Sequence, residues 1–183
     1  NTNVIVIGLG GAGGHAINSI AASFEDISFM VADTDKHALD HSLAKNTLSL
    51  NEDKEKGLLE IIRAIEPYPV VVFIAGLGGN TGTDVMPFLA TEATAKRRPV
   101  TCIVTTPFEY EGAYKNKIAQ TALEEMRSKK LCVMEINNQD LVKYADKGRT
   151  FADGFRAVDA AISALIMEVT KSTLPPIPRC ISY

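Results

Sequence analysis

The chain has 183 residues, enough for one sizeable core and too few to expect two ordinary domains. With 46% hydrophobic and 22% charged residues it sits in the globular range, which excludes a disordered or fibrous protein. A net charge of −3 and a sequence pI near 5.6, with Lys and Arg scattered apart from a short run at 95–98, exclude the basic face that a nucleic-acid partner requires. No apolar run approaches the ~20 residues that span a bilayer, and the amino end lacks the basic-then-apolar pattern of a secretory leader. A cytoplasmic protein with no membrane span is therefore expected.

In chain order, an apolar run from Val4 leads straight into GLGGAGG at 8–14. The run reads as a strand. Glycines after it let backbone N–H groups approach an anion, and the helix expected over 10–23 points its positive end at the same place. Gly8, Gly10 and Gly13 have the spacing of a dinucleotide fingerprint, and Asp33 follows about 20 residues later, where such folds hold a ribose. By itself this turn fits nicotinamide or flavin binding, another nucleotide, or close helix–strand packing with no ligand.

A second strand is expected from Ile27, then a helix over 35–43, a weaker strand from Thr47 and a helix over 52–66. His37 and His41 stand four residues apart beside Asp40, a spacing that can chelate a metal. An exposed polar helix face also accounts for them, and no zinc site is expected. The next buried run, VVVFIA from Val70, enters GLGGNTGT at 76–83, a second glycine turn ahead of a helix expected over 82–97. A dinucleotide enzyme has no use for this second turn. Two such turns can clasp a chain of phosphates from both sides, and the hydroxyls of Thr81 and Thr83 add donors that can also face a metal. No Gly-Lys-Ser or Gly-Lys-Thr occurs, which argues against a Walker-type loop.

Strands from Val100 and Leu131 and helices over 112–129, 138–145 and 150–171 complete the pattern. In the last helix Phe151, Phe155, Val158, Ile162, Leu165, Ile166 and Val169 recur at steps of three and four and form one apolar stripe. Three prolines then end it, so residues 174–183 should form an extended tail. Strands that are apolar almost throughout, alternating with helices, predict an α/β fold: a Rossmann-like, three-layer αβα arrangement around a mostly parallel sheet. Three cysteines make an odd number, and Cys102 and Cys132 lie in apolar runs, as small core residues of a reducing compartment do.

The segments GLGGAGGHAI, VADTDKHAL, AGLGGNTGT, TTPFEYEG and DGFRAVDAAI occur in the order and approximate spacing of the nucleotide-binding domain of the tubulin/FtsZ family. Over roughly residues 3–171 the chain resembles bacterial FtsZ more than eukaryotic tubulin. The resemblance implies a GTP-binding domain over residues 1–173 that takes GTP or GDP with Mg2+, the ion travelling with the nucleotide near Thr81 and Thr83. It places the backbone of Gly10, Gly11, Ala12 and Gly13 on the α and β phosphates. Gly78, Gly79, Asn80, Thr81, Gly82 and Thr83 would close over the β and γ groups. Glu111 matches a residue that accepts from ribose hydroxyls, and Lys115 falls where an arginine is common or simply on a solvated helix face. Asn138, Phe155 and Asp159 are implied to recognise guanine, the ring by stacking and the carboxylate by accepting from N1–H and the 2-amino group. His15 and Asp33 stand where FtsZ has guanine-contacting asparagines. Asn80 replaces a third glycine and is the best-tolerated substitute if that position needs a positive φ.

Departures from the family bear on mechanism. The segment NTLSLNEDKEKGLL at 46–59 is short for the glycine-rich loop that senses the γ phosphate. The family's second domain and the acidic loop joining it, whose carboxylates reach the next subunit's nucleotide, have no counterpart in this sequence, and no Asp or Glu follows Glu168. A catalytic group supplied in trans is worth on the order of 10³–10⁵ in phosphoryl transfer, so slow hydrolysis is expected, with Asp140 or Asp146 as substitutes and no catalytic residue assigned. The expected function is a weak or assembly-dependent GTPase that associates head to tail into filaments, a separate chain supplying the second domain being left open. The alternatives are a non-catalytic GTP-gated adaptor and, from the opening fingerprint alone, an NAD-dependent oxidoreductase.

Overall fold

The computed structural model describes residues 3–51, 53–140, 148 and 150–171. Strands β1 (Val4–Leu9), β2 (Ser28–Asp33), β3 (Asn46–Ser49), β4 (Val70–Gly76), β5 (Val100–Thr106) and β6 (Val133–Asn137) alternate with helices α1 (Gly10–Ile20), α2 (Lys36–Asp40), α3 (Lys54–Ala64), α4 (Asn80–Ala95), α5 (Ala113–Ser128) and α6 (Phe151–Lys171). The six strands form one sheet in the order β3-β2-β1-β4-β5-β6, and every neighbouring pair is parallel. This is the α/β, Rossmann-like arrangement that the apolar strand pattern predicts.

The strands lack polar alternation because helices cover both faces of the sheet. On one face Ile5, Ile7, Leu9 and Phe73 pack against Ile61 after the start of α3, Met86 and Leu89 of α4, and Leu123 and Met126 of α5. On the other, Val4, Val6, Val72 and Ile74 meet Ile17 and Ile20 of α1 and Val158, Ile162 and Ile166 of α6. Phe73 and Ile17 are wholly buried, and removing such a side chain from water stabilises the fold by about 1.5–3 kcal/mol. Cys102 lies within the first of these cores, where burial pushes its thiol well above the ordinary range, and Cys132 is half-buried beside it.

The helix starts differ in how they are closed. Asp35 caps α2 by accepting from the N–H groups of His37 and Ala38, and Asp53 caps α3 by accepting from Lys56. At α6, Thr150 donates from both its N–H and its hydroxyl to the Asp153 carboxylate at 2.7 Å, while the Asp153 N–H donates to the Thr150 hydroxyl at 3.2 Å. Those two bonds, reinforced by Arg156, hold the Asp153 carboxyl down at about 2. A depressed value means that this cap contributes fully above the ordinary carboxylate range and is lost as pH falls toward 2. By contrast, no side chain caps α1 or α4.

Several boundaries move by two or three residues from expectation, those of α2 and α4 among them. α2 is confined to five residues, closed by His41 as its C-cap, and residues 41–45 lead on to β3. α4 begins at Asn80, two residues early, because Gly79 is extended (φ −84, ψ 175) and hands over directly to helical backbone. The expected helix over 138–145 lies largely outside the described residues, as do Asp146 and the tail at 174–183. Among the described residues no helix is long and apolar enough to cross a membrane.

Candidate functional site

β1 and β4 are the neighbours at which the strand order reverses, and in open parallel sheets the crevice beyond the carboxyl ends of such strands is where ligands bind. Both glycine turns leave from those two ends. They touch: Gly10 has φ +72, and a Cβ added to it would sit 3.2 Å from both the Gly82 nitrogen and the Thr81 Cβ. Only a glycine satisfies the backbone and the space together. Between the turns lies a cleft of about 390 Å³.

The cleft is a donor surface. α1 and α4 both begin at it, neither N-cap residue (Leu9 and Gly79) offers a capping side chain, and neither first turn contains an acid. The leading N–H groups and the positive ends of two helix dipoles are therefore directed at the same space.

Hydroxyls stitch the second turn. The Gly78 N–H donates to Thr83 Oγ1 at 2.8 Å, and the Thr81 hydroxyl donates to Asp33 Oδ1 at 3.2 Å while lying 3.1 Å from the Thr34 hydroxyl. Asp33 is only 4% exposed and also accepts from the Thr34 and Asp35 N–H groups at 2.7 and 3.3 Å. Its charge is met by three donors without a cation, and it ties the end of β2 to the first turn of α4. At the opposite lip Glu111 accepts from the Phe108 N–H at 3.0 Å through one oxygen and from the Lys115 ammonium at 3.2 Å through the other.

Of the residues singled out from the sequence, Gly10, Gly11, Ala12, Gly78, Gly79, Asn80, Thr81, Gly82, Glu111, Lys115 and Asn138 line this cleft. Gly13 lies beneath it. A Cβ there would come within 2.5 Å of the Ile74 carbonyl oxygen and 2.9 Å of the Gly8 carbonyl carbon, so its bareness lets α1 close onto the sheet. Thr83 braces the turn from behind, and Asp33 acts through Thr81. His15 is exposed on α1. Phe155 is 43% exposed and meets the buried Phe108 edge-on at 6.2 Å, with Asp159 one turn further along α6; neither lines the cleft. The condition attached to Asn80 is not met, since Asn80 is helical and the positive φ of the turn falls on Gly78 (+94).

Leu9, Thr34, Gly76, Leu77, Thr105 and Pro107 also line the cleft and were not read as site residues. Thr34 had a signal, its place between the two aspartates of DTD at the end of a strand. Gly76 had one too, as the first glycine of the second turn. Among the described residues no group of three or more His, Cys, Asp or Glu side chains could hold a metal ion.

Known proteins resemble this chain in sequence and in fold. The family model described as the tubulin/FtsZ family GTPase domain matches residues 51–146, more than half of the chain. The cell division protein FtsZ of Rickettsia conorii is 32% identical over 94% of this chain, which spans 42% of that relative's length. A solved FtsZ dimer from M. jannaschii superposes with a TM-score of 0.78 at 23% identity, covering 95% of this chain and 57% of that one. A protofilament of TubZ from bacteriophage PhiKZ gives a TM-score of 0.67 at 16% identity, covering 94% of this chain and 58% of that one. At these identities the structural likeness speaks for the fold alone, but the family match does not depend on it: the chain belongs to the tubulin/FtsZ family, and its matched segment is that family's GTPase domain.

Proposed function

We propose that the chain binds GTP in the cleft between its two glycine turns, hydrolyses it slowly by itself and faster when assembled head to tail, and works as part of a cytoplasmic filament system. The observation that carries this reading is the convergence of two uncapped helix N-termini on one cleft at the β1/β4 reversal. An anion there gains N–H donors from both sides without displacing any side-chain cap. A single turn would suit many ligands, whereas two opposed turns suit a run of phosphates.

In this reading the backbone of residues 10–12 and 78–82 holds the phosphates. Glu111 keeps lone pairs beyond those used by Phe108 and Lys115 and accepts from the ribose, and Lys115 keeps that carboxylate in place. Asn138, Phe155 and Asp159 read guanine once the base lies between the cleft and α6. Magnesium, when bound, neutralises phosphate charge. The residues present fit an ion carried largely by phosphate oxygens, because the lining offers mostly N–H donors and the hydroxyls of Thr81 and Thr83 already have partners.

Glu111 is the only carboxylate that lines the cleft among the described residues, and both of its oxygens are engaged. Nothing else there is placed to orient an attacking water, which supports slow turnover by the lone chain and activation by a neighbour. The dimer and the protofilament among the structural relatives support the head-to-tail part of the reading. The same commitment of Glu111 favours the second reading, a GTP-gated adaptor without turnover.

The test measures binding of labelled GTP against ATP and NAD, then phosphate release per chain as protein concentration rises. Preference for GTP with a release rate that climbs with concentration is expected. Tight GTP binding with no release at any concentration selects the adaptor, and protection by NAD but not by GTP overturns the reading.

A further inference from the structure

The lip of the cleft formed by Thr34 and Thr81 has an order of protons that its contacts dictate. Asp33 Oδ1 accepts from the Thr34 and Asp35 N–H groups, which can only donate, so the Thr81 hydroxyl 3.2 Å away is the donor in its contact with the same oxygen. Its one proton is thereby spent. In the 3.1 Å contact between the two hydroxyls Thr34 is then the donor, and its proton is spent on Thr81. Both side chains line the cleft, and both have only lone pairs left to offer it. The second oxygen of Asp33, Oδ2, has no hydrogen-bond partner among the described residues.

This lip opposes the rest of the site. Elsewhere the cleft directs N–H groups at an anion, but here it presents acceptors backed by a carboxylate that is 4% exposed and one hydroxyl removed from the lining. Glu111 at the opposite lip is offset by Lys115, whereas Asp33 takes part in no ion pair among the described residues. A phosphate brought close meets a charge of its own sign, which the surrounding protein screens less than bulk water does. An asparagine at this position, as in FtsZ, carries no such charge.

We propose, on the reading that the cleft holds the phosphates of a nucleotide, that Asp33 and the two hydroxyls it orders make phosphate binding there depend on a hydrated divalent cation such as magnesium. Magnesium keeps several of its waters, which donate once bound to the ion, so the lone pairs of Thr34 and Thr81 match them while the charge of the ion offsets Asp33. Asp33 acts on the site through Thr81, as a positioning residue.

The test measures the affinity of labelled GTP for the whole chain in magnesium and again in EDTA. Wild type should lose at least about tenfold without magnesium. Asp33→Asn, which keeps the Oδ1 contacts and removes the charge, should bind GTP in EDTA about fivefold more tightly than wild type, narrowing the loss to about twofold. Thr34→Val, which takes an acceptor from the lip and leaves the charge, should weaken binding in magnesium with no weakening in EDTA, its fold being checked by the thermal midpoint. Asp40→Asn, the same loss of charge at the exposed end of α2, should follow wild type in both buffers. Equal losses in wild type and Asp33→Asn, or a wild type indifferent to magnesium, overturn the proposal and leave GTP binding in the cleft standing. No GTP binding even with magnesium overturns both.

Discussion

Between Leu9 and His15 the turn after β1 carries no side chain larger than a methyl group, whereas the turn after β4 carries Asn80, Thr81 and Thr83. The first is shaped by absence: Gly13 lets α1 settle against the Ile74 carbonyl, and Gly10 lets the opposing turn come into contact. The second is shaped by bonds: Thr83 receives the Gly78 N–H, and Thr81 reaches across to Asp33 at the end of β2. Bare turns of the first kind serve any fold that packs a helix tightly on a strand, with or without a ligand. A turn whose hydroxyls are tied to a neighbouring strand belongs to a particular three-strand arrangement, which is why the second loop says more about identity.

This contrast can be broken by substitution. Gly13→Ala should have the largest effect, because backbone atoms on two sides cannot yield to the new methyl. A loss of about 3 kcal/mol in urea unfolding is expected, together with loss of GTP binding as α1 is pushed off the sheet. Thr83→Val comes next. It keeps the shape but strands the Gly78 N–H, so stability should fall by about 1–2 kcal/mol and GTP affinity should drop while the helices remain in place by circular dichroism. Thr81→Val should cost least, within about 1 kcal/mol, since Asp33 keeps two N–H partners. Were Thr81→Val as damaging as Gly13→Ala, the distinction between an empty turn and a stitched one would not stand.

The inner strands were legible in the sequence because helices bury both faces of the sheet there, leaving runs such as VVVFIA with no polar interruption, whereas the edge strand β3, NTLS, is mostly exposed and was the weaker expectation. α6 was equally plain, its buried Val158, Ile162 and Ile166 repeating at helical steps. The start of α4 was not, since Gly82 suggested a later beginning and the extended Gly79 leaves no capping side chain to read. Within the site, the glycines could be found because they cluster after buried strands, and Glu111 because its segment TTPFEYEG resembles the family's. The tasks of Asp33 and Gly13 could not, since one depends on a hydroxyl 48 residues away and the other on a carbonyl of a different strand. Phe155 and Asp159 reach the site region only through the packing of Phe155 on Phe108, which no spacing in the chain encodes.

The placing of β1 at the middle of the sheet has a consequence for biosynthesis. Val4–Leu9 bonds to β2 on one side and to β4 on the other, so its second edge stays open until residues 70–76 have left the ribosome. Until that delayed closure, a ribbon of Val and Ile with free amide groups is exposed to any other unfinished chain. Cells making this protein quickly would therefore meet their greatest risk of aggregation while that edge stands open, before the cleft between the two turns exists.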